Sequence, residues 1–432
     1  MSKLSVLIGA MSVMFLFSSC IKDKCSRVMT YTKYEPIYVS YDDVRQPIEV
    51  EGARTIKNPG KIYVYDNYIY INERDKGVHI IDNSNASNPQ NIGFINIPGN
   101  LDIAVKNNVM YADNYMDLVA LNLNSPTKVQ MLKRVENVFP TFGEDPELGI
   151  LVRYNEEEVT EDVQCSETWR IEQEQMWGPQ FNSADVTTMA STTGGNANAA
   201  GAGTAGRESG GGLGGSMARF SIYRDYLYTV DNQQLHVFNI AALDDPTQLN
   251  TVSLGWGIET IMPYQDKLFV GTNTGVLIYN NQVPTNPTYI SQFNHASSCD
   301  PVFIENDFAY VTLRSGTRCE GFSNQLDILD VADVFNPTLV KTYEMTNPHG
   351  LSVNDNIMYL CDGDDGLKVY DVTDKMNVDK NQLFHDANKP TYDVIVTPTR
   401  NLLLVIGDDG LYQYDRSNPN SLIQLSHIPV EK

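Results

Sequence analysis

The side chains able to do chemistry are spread thinly along this sequence. His79, His236, His295, His349, His385 and His427 stand one at a time, without the close spacing by which histidines share a metal. No His-Glu-x-x-His, Gly-x-Ser-x-Gly or phosphate-loop pattern occurs, so no metallohydrolase, serine nucleophile or nucleotide site is announced locally. Asp362-Gly363-Asp364-Asp365-Gly366 has the look of a calcium loop, but Thr373 stands at the twelfth place, where an acid is required. Asp-Asp-Gly recurs at Asp408-Asp409-Gly410, and a tight hairpin needs these same residues. Both runs read as hairpin turns, with calcium the lesser alternative and no cofactor otherwise expected. Gly210 to Gly215 formally fits Gly-x-Gly-x-x-Gly, but it lacks a preceding strand and a following helix and reads as low complexity.

Cysteine chemistry is more informative. Lys3, an apolar run from Leu4 to Phe17, and Ser18-Ser19 before Cys20 have the layout of a secretory signal. The run is too short to span a bilayer, which takes about 20 residues. A cysteine after Phe17-Ser18-Ser19 resembles a lipobox, with Phe17 where Leu is usual. That resemblance implies an acylated Cys20 as the mature N-terminus, residues 1–19 as signal peptide and 20–57 as a lipid-anchored leader. Nothing after Cys20 marks inner-membrane retention, so an outer-membrane lipoprotein is expected, on the periplasmic or the cell-surface side. In an oxidising compartment, five further cysteines suggest a disulfide and at least one free thiol. Cys299 and Cys319 are the expected pair, pinning the base of the Arg314–Asn324 excursion; the states of Cys25, Cys165 and Cys361 stay open. The net charge of −23 excludes nucleic acid as a partner, because phosphates would be repelled.

The elements that must position any site are read from internal repetition. Seven short apolar runs end in Asp or Asn, at Asp82, Asn122, Asn239, Asn280, Asp330, Asp371 and Asp415. Their spacings are 40, 117, 41, 50, 41 and 44 residues, a period near 42 once an insertion is removed from the second gap. Each unit holds four short runs rich in Val, Ile and Tyr, bounded by Gly, Asn, Asp and Pro, which read as strands. Four strands at this period make a propeller blade. The terminal Asp or Asn is a turn-former that bonds its own backbone two residues on. The fold expected is all-β: a single propeller of about seven four-stranded blades over 58–432. Residues 140–216, acidic and then Gly-rich, form a disordered insertion between blades two and three, a mobile flap. The leader around Ile48-Glu49-Val50 is expected to add a strand that helps close the ring.

The third runs, above all Leu326-Asp327-Ile328-Leu329-Asp330-Val331 and Leu367-Lys368-Val369-Tyr370-Asp371-Val372, resemble the LVIVD repeat of bacterial secreted propellers. That resemblance spans roughly Asn58 to Val430 outside the insertion and implies a fold and a compartment, with no catalytic residues to carry over. Aligning the starts of the innermost strands brings Gly60, Asp102, Arg219, Glu259, Asp300, Gly350 and Asp393 to equivalent places, with His349 beside Gly350. Such residues would ring the channel mouth, where converging carboxylates focus a negative potential and could hold a cation or sugar hydroxyls. Asn in place of Asp102, Asp300 and Asp393 is then expected to weaken binding and leave stability unchanged. The function read from this is an envelope binding or scaffolding module, its partner an envelope protein or a glycan. The alternative is a carbohydrate-active hydrolase or lyase with an acid–base pair at the mouth.

Overall fold

The computed structural model describes residues 25–177, 212–294, 301–314 and 324–431. They form two compact units, 25–41 with 141–177, and 42–140 with 212–431. Cys20, Asp300 and the pair Cys299 and Cys319 lie outside the described residues.

The larger unit is a seven-bladed β-propeller. Its innermost strands are Pro59–Tyr65, Ile103–Lys106, Phe220–Tyr223, Ile258–Tyr264, Val302–Glu305, Leu351–Asn354 and Thr391–Thr397. Each is followed by three antiparallel strands in sequence order, moving outward. Consecutive innermost strands neighbour one another, and Thr391–Thr397 adjoins Pro59–Tyr65, so the ring is closed.

Alternation explains how the blades stack. Second-strand residues Tyr70, Tyr111, Tyr228, Tyr310 and Tyr359 are almost wholly buried at equivalent places. Tyr111 Oη donates to Leu243 O at 2.9 Å and Tyr228 Oη to Asn281 Oδ1 at 2.8 Å, each in the next blade. Blade seven meets blade one through Ile62, Ile69, Ile71, Ile395, Leu404 and Ile406. Burying each such side chain is worth roughly 1.5–3 kcal/mol, so the same apolar faces that form a blade also glue it to its neighbours.

The turns after the third strands are built as the sequence suggests. The Oδ1 atoms of Asp82, Asn122, Asn239, Asn280, Asp330, Asp371 and Asp415 each accept the backbone N–H two residues on, at 2.8–3.0 Å. The leader does add a strand, Val50–Glu51, on the outer edge of blade one beside Phe94 and Ile95. Closure comes from further along the chain: Ile56 bridges Val430, and Glu431 N donates to Ile56 O at 2.7 Å.

The insertion departs from expectation at both ends. Gly149–Gln164 is a long strand, paired residue by residue with Ser26–Val39 of the leader, and Cys25 is bonded to Cys165 at the end of this ribbon. A helix, Thr168–Trp177, follows and buries Ile171. The acidic run falls within the insertion expected to be disordered, but its residues have a partner strand more than 100 positions away. Residues 178–211 lie outside the described set. At the far end, Leu213–Gly214 pairs with Tyr63 and Val64 on the innermost strand of blade one.

Candidate functional site

The segment Gly212–Phe220 runs against the innermost strands and lies in the channel. Gly212 N donates to Val105 O of blade two at 2.9 Å, Leu351 N of blade six donates to Ser216 Oγ at 2.9 Å, and Ile261 N of blade four donates to Ala218 O at 3.0 Å. Here the glycines serve close approach. A Cβ at Gly212 would stand 2.2 Å from Tyr63 Cε1, and one at Gly215 2.1 Å from Asp393 Oδ2. The Gly-rich run is therefore low complexity in composition but a fitted channel lining over its last residues.

Around this segment the structure brings together Asp102, Arg219 and Asp393 from the sequence-derived set and adds Lys61 and Asp113. Asp102 is buried. Its Oδ2 receives Lys61 Nζ at 2.8 Å and the backbone N–H groups of Arg219 and Phe220, and its Oδ1 receives Ile103 N at 2.8 Å. Asp113 receives Leu101 N, Asp102 N and Asn100 Nδ2, the last at 2.8 Å; burial still pushes its carboxyl up to about 7. Asp393 is buried as deeply, and burial pushes it up to about 7 as well. Only Val394 N, at 2.9 Å, bonds its Oδ1, and Oδ2 has no partner among the described residues. Burial lowers the pKa of Lys61, against the attraction of Asp102.

Of the other expected mouth residues, Asp300 lies outside the described residues, and His349 and Glu259 are placed as follows. His349 is buried, tilted on Tyr392 with ring centroids 4.9 Å apart, and accepts Arg314 Nη1 on Nδ1 at 2.8 Å. Burial and then Arg314 push it down to about 3, so the ring is neutral. Glu259 is half-buried on the innermost strand of blade four.

Lys61 and Asp113 were legible only in part. Asp113 belongs to a repeated device, an acid closing the second strand. Glu73 receives Lys57 N and Asn58 N, Asp113 receives Leu101 N and Asp102 N, and Asp362 receives Thr346 N and Asn347 N. Each clasps the chain that enters its own blade. The supposed calcium run is spent this way: Asp362 and Asp365 also hold Lys368. The signal in the sequence was the acid at one place in several blades.

These features define the class: a closed seven-bladed β-propeller whose channel is lined by its own inserted chain. Within that class the chain carries LVIVD repeats, because the LVIVD repeat family matches residues 58–96 and 298–345, covering blades one and five. No curated protein matches the chain. Among solved structures it is similar to the computationally designed Ika8 protein, at 9% identity over 88% of this chain and 91% of that one, with a TM-score of 0.51. It is also similar to the periplasmic gluconolactonase PpgL of Pseudomonas aeruginosa, at 10% identity over 89% and 98%, with a TM-score of 0.51. At such identities the likeness shows the fold alone.

Proposed function

We propose that this chain is an exported, lipid-anchored protein of the outer membrane that works as a binding or scaffolding module. Its partner, an envelope protein or a glycan, is held on the propeller face that carries the channel mouth. The observation that carries this reading is that Asp102 and Asp113 spend their oxygens on internal donors. A hydrolase needs an acid and a base with free access to substrate, whereas carboxylates spent inside the fold suit presentation of a surface. The anchor is tested by mass spectrometry of the mature N-terminus, where an acyl mass on Cys20 is expected; an unmodified cysteine refutes it. The module is tested by capture from outer-membrane extract beside a glycan array, with one saturable partner or glycan expected.

One observation favours the alternative of a carbohydrate-active hydrolase or lyase. Asp393 has an oxygen without a partner and a carboxyl that titrates near neutrality. PpgL, which is similar in fold, is a gluconolactonase. Turnover of a sugar lactone or glycan that Asp393→Asn abolishes, with the fold intact, would replace the binding reading.

A further inference from the structure

Blade one carries a cleft of about 440 Å³ lined by Arg54, Lys57, Glu73, Lys76, His79 and Phe94. It lies at the hairpin after the second strand and the chain entering the first, on the same face as the channel mouth.

The charge of the cleft runs against the charge of the chain. Acids outnumber bases by 54 to 31 overall, yet the lining holds three cations and one carboxylate. That carboxylate is committed: Glu73 receives Lys57 N at 3.1 Å, Asn58 N at 3.2 Å and His79 Nε2 at 2.8 Å. Arg54 pairs with Glu51, Lys57 with Glu431 and, at 3.5 Å, Lys76 with Glu73; all three cations, Glu51 and Glu431 are substantially exposed, and Glu73 alone is buried. Exposed pairs contribute little and yield readily to an incoming oxyanion.

The histidine adds a second requirement. His79 is fully buried, and its Nδ1 has no hydrogen-bond partner among the described residues. With Nε2–H donated to Glu73, Nδ1 is a bare acceptor, and burial lowers the ring's pKa and keeps it neutral. A bare acceptor repels a simple anion and calls for a hydroxyl donor.

The repeat itself provides the control. At the equivalent place on the third strand, blade three has His236 and blade six has Lys368, each facing an acid on the preceding hairpin. His236 Nδ1 lies 3.4 Å from Gln248 Nε2 and 3.5 Å from Thr251 Oγ1, and Lys368 is held by Asp362 and Asp365. Blade one keeps the acid and the ring but leaves Nδ1 without an internal partner.

We infer that this cleft binds an acidic saccharide, with the oxyanion held by Arg54, Lys57 and Lys76 and a neighbouring hydroxyl donated to His79 Nδ1. The inference rests on the binding-module reading and gives it a ligand class. The oxyanion could be a uronate carboxylate or a sugar phosphate, and the test separates the two.

The test is calorimetric titration of the mature chain with glucuronate oligosaccharide, a hexose phosphate, a neutral hexose oligosaccharide and inorganic phosphate. One of the two acidic sugars is expected to bind at least tenfold more tightly than both the neutral sugar and inorganic phosphate. Arg54→Ala with Lys57→Ala, two exposed changes, is expected to weaken that binding tenfold or more and leave the melting temperature unchanged. Equal binding of acidic and neutral sugars, inorganic phosphate bound as tightly as the sugars, or indifference to the double variant would each overturn the inference. Capture of a protein partner with no acidic sugar bound would overturn the cleft alone and leave the binding module standing.

Discussion

Lys61 Nζ lies 2.8 Å from Asp102 Oδ2, joining the innermost strand of blade one to the start of blade two. The same oxygen receives the backbone of Arg219 and Phe220, so one carboxylate ties blades one, two and three together. The sequence suggested that Asp102 is a ligand contact whose loss leaves stability unchanged; its geometry is that of a staple. Asp102→Ala strands a half-buried ammonium and three N–H groups and is expected to cost about 3–5 kcal/mol in urea denaturation. Lys61→Met, which leaves Asp102 its three N–H donors, is expected to cost less. A cost below about 1 kcal/mol for Asp102→Ala would refute the staple.

Asp393 sets a pH dependence. Its native carboxyl keeps its proton up to about 7, whereas an unfolded aspartate loses it near 3.9. Between those values the native state binds more protons, so this residue's contribution to stability is lost as pH rises from about 4 to 7. Asp393→Asn is expected to remove that loss. The variant should gain on the native protein, by on the order of 2–4 kcal/mol, between pH 5 and pH 8. A stability difference that does not change with pH would refute the assignment.

The channel glycines are expected to tolerate no side chain. Gly212→Ala drives a methyl into Tyr63 and Gly215→Ala drives one into Asp393. Overpacking of this kind typically costs about 1–3 kcal/mol, read here as a fall in melting temperature with faster exchange of the Gly212 and Leu351 amides. A neutral result for both would show that the segment leaves the channel in solution.

Opening Cys25–Cys165 is expected to act on the ribbon first. The bond spans 140 residues, a loop of chain that contains blades one and two. For that length the chain-entropy account gives on the order of 4–5 kcal/mol. Cys25→Ser with Cys165→Ser should speed hydrogen exchange in Ser26–Val39 and lower overall stability, with the blades still folded. Unchanged exchange there would mean that the strand pairing alone holds the ribbon.

The blades were legible because what makes a blade is local and repeated. The turn bond from Ala332 N to Asp330 Oδ1 spans two residues, and each buried tyrosine sits on a strand whose alternation is visible without knowing its neighbours. Seven copies of a weak signal then fix the number and the order of the strands. The alignment of strand starts likewise brought Asp102, Arg219 and Asp393 to the same end of the ring.

The remainder was decided by which distant residues meet. The acidic strand Gly149–Gln164 has the composition of a solvated loop, and it is ordered because Ser26–Val39 offers it a complementary edge. Gly212 and Gly215 have the composition of a linker, but the same lack of a side chain that permits disorder also lets backbone enter a channel already crowded by Tyr63 and Asp393. His79 and His236 cannot be told apart along the chain; whether Nδ1 finds a partner depends on the residues of the fourth strand that fold against it. Hydrogen bonds and ion pairs act over about 3 Å in space, whatever the separation in sequence. For that reason the periodic pattern determined the propeller, and only its closure in three dimensions decided which polar groups find an internal partner and which do not.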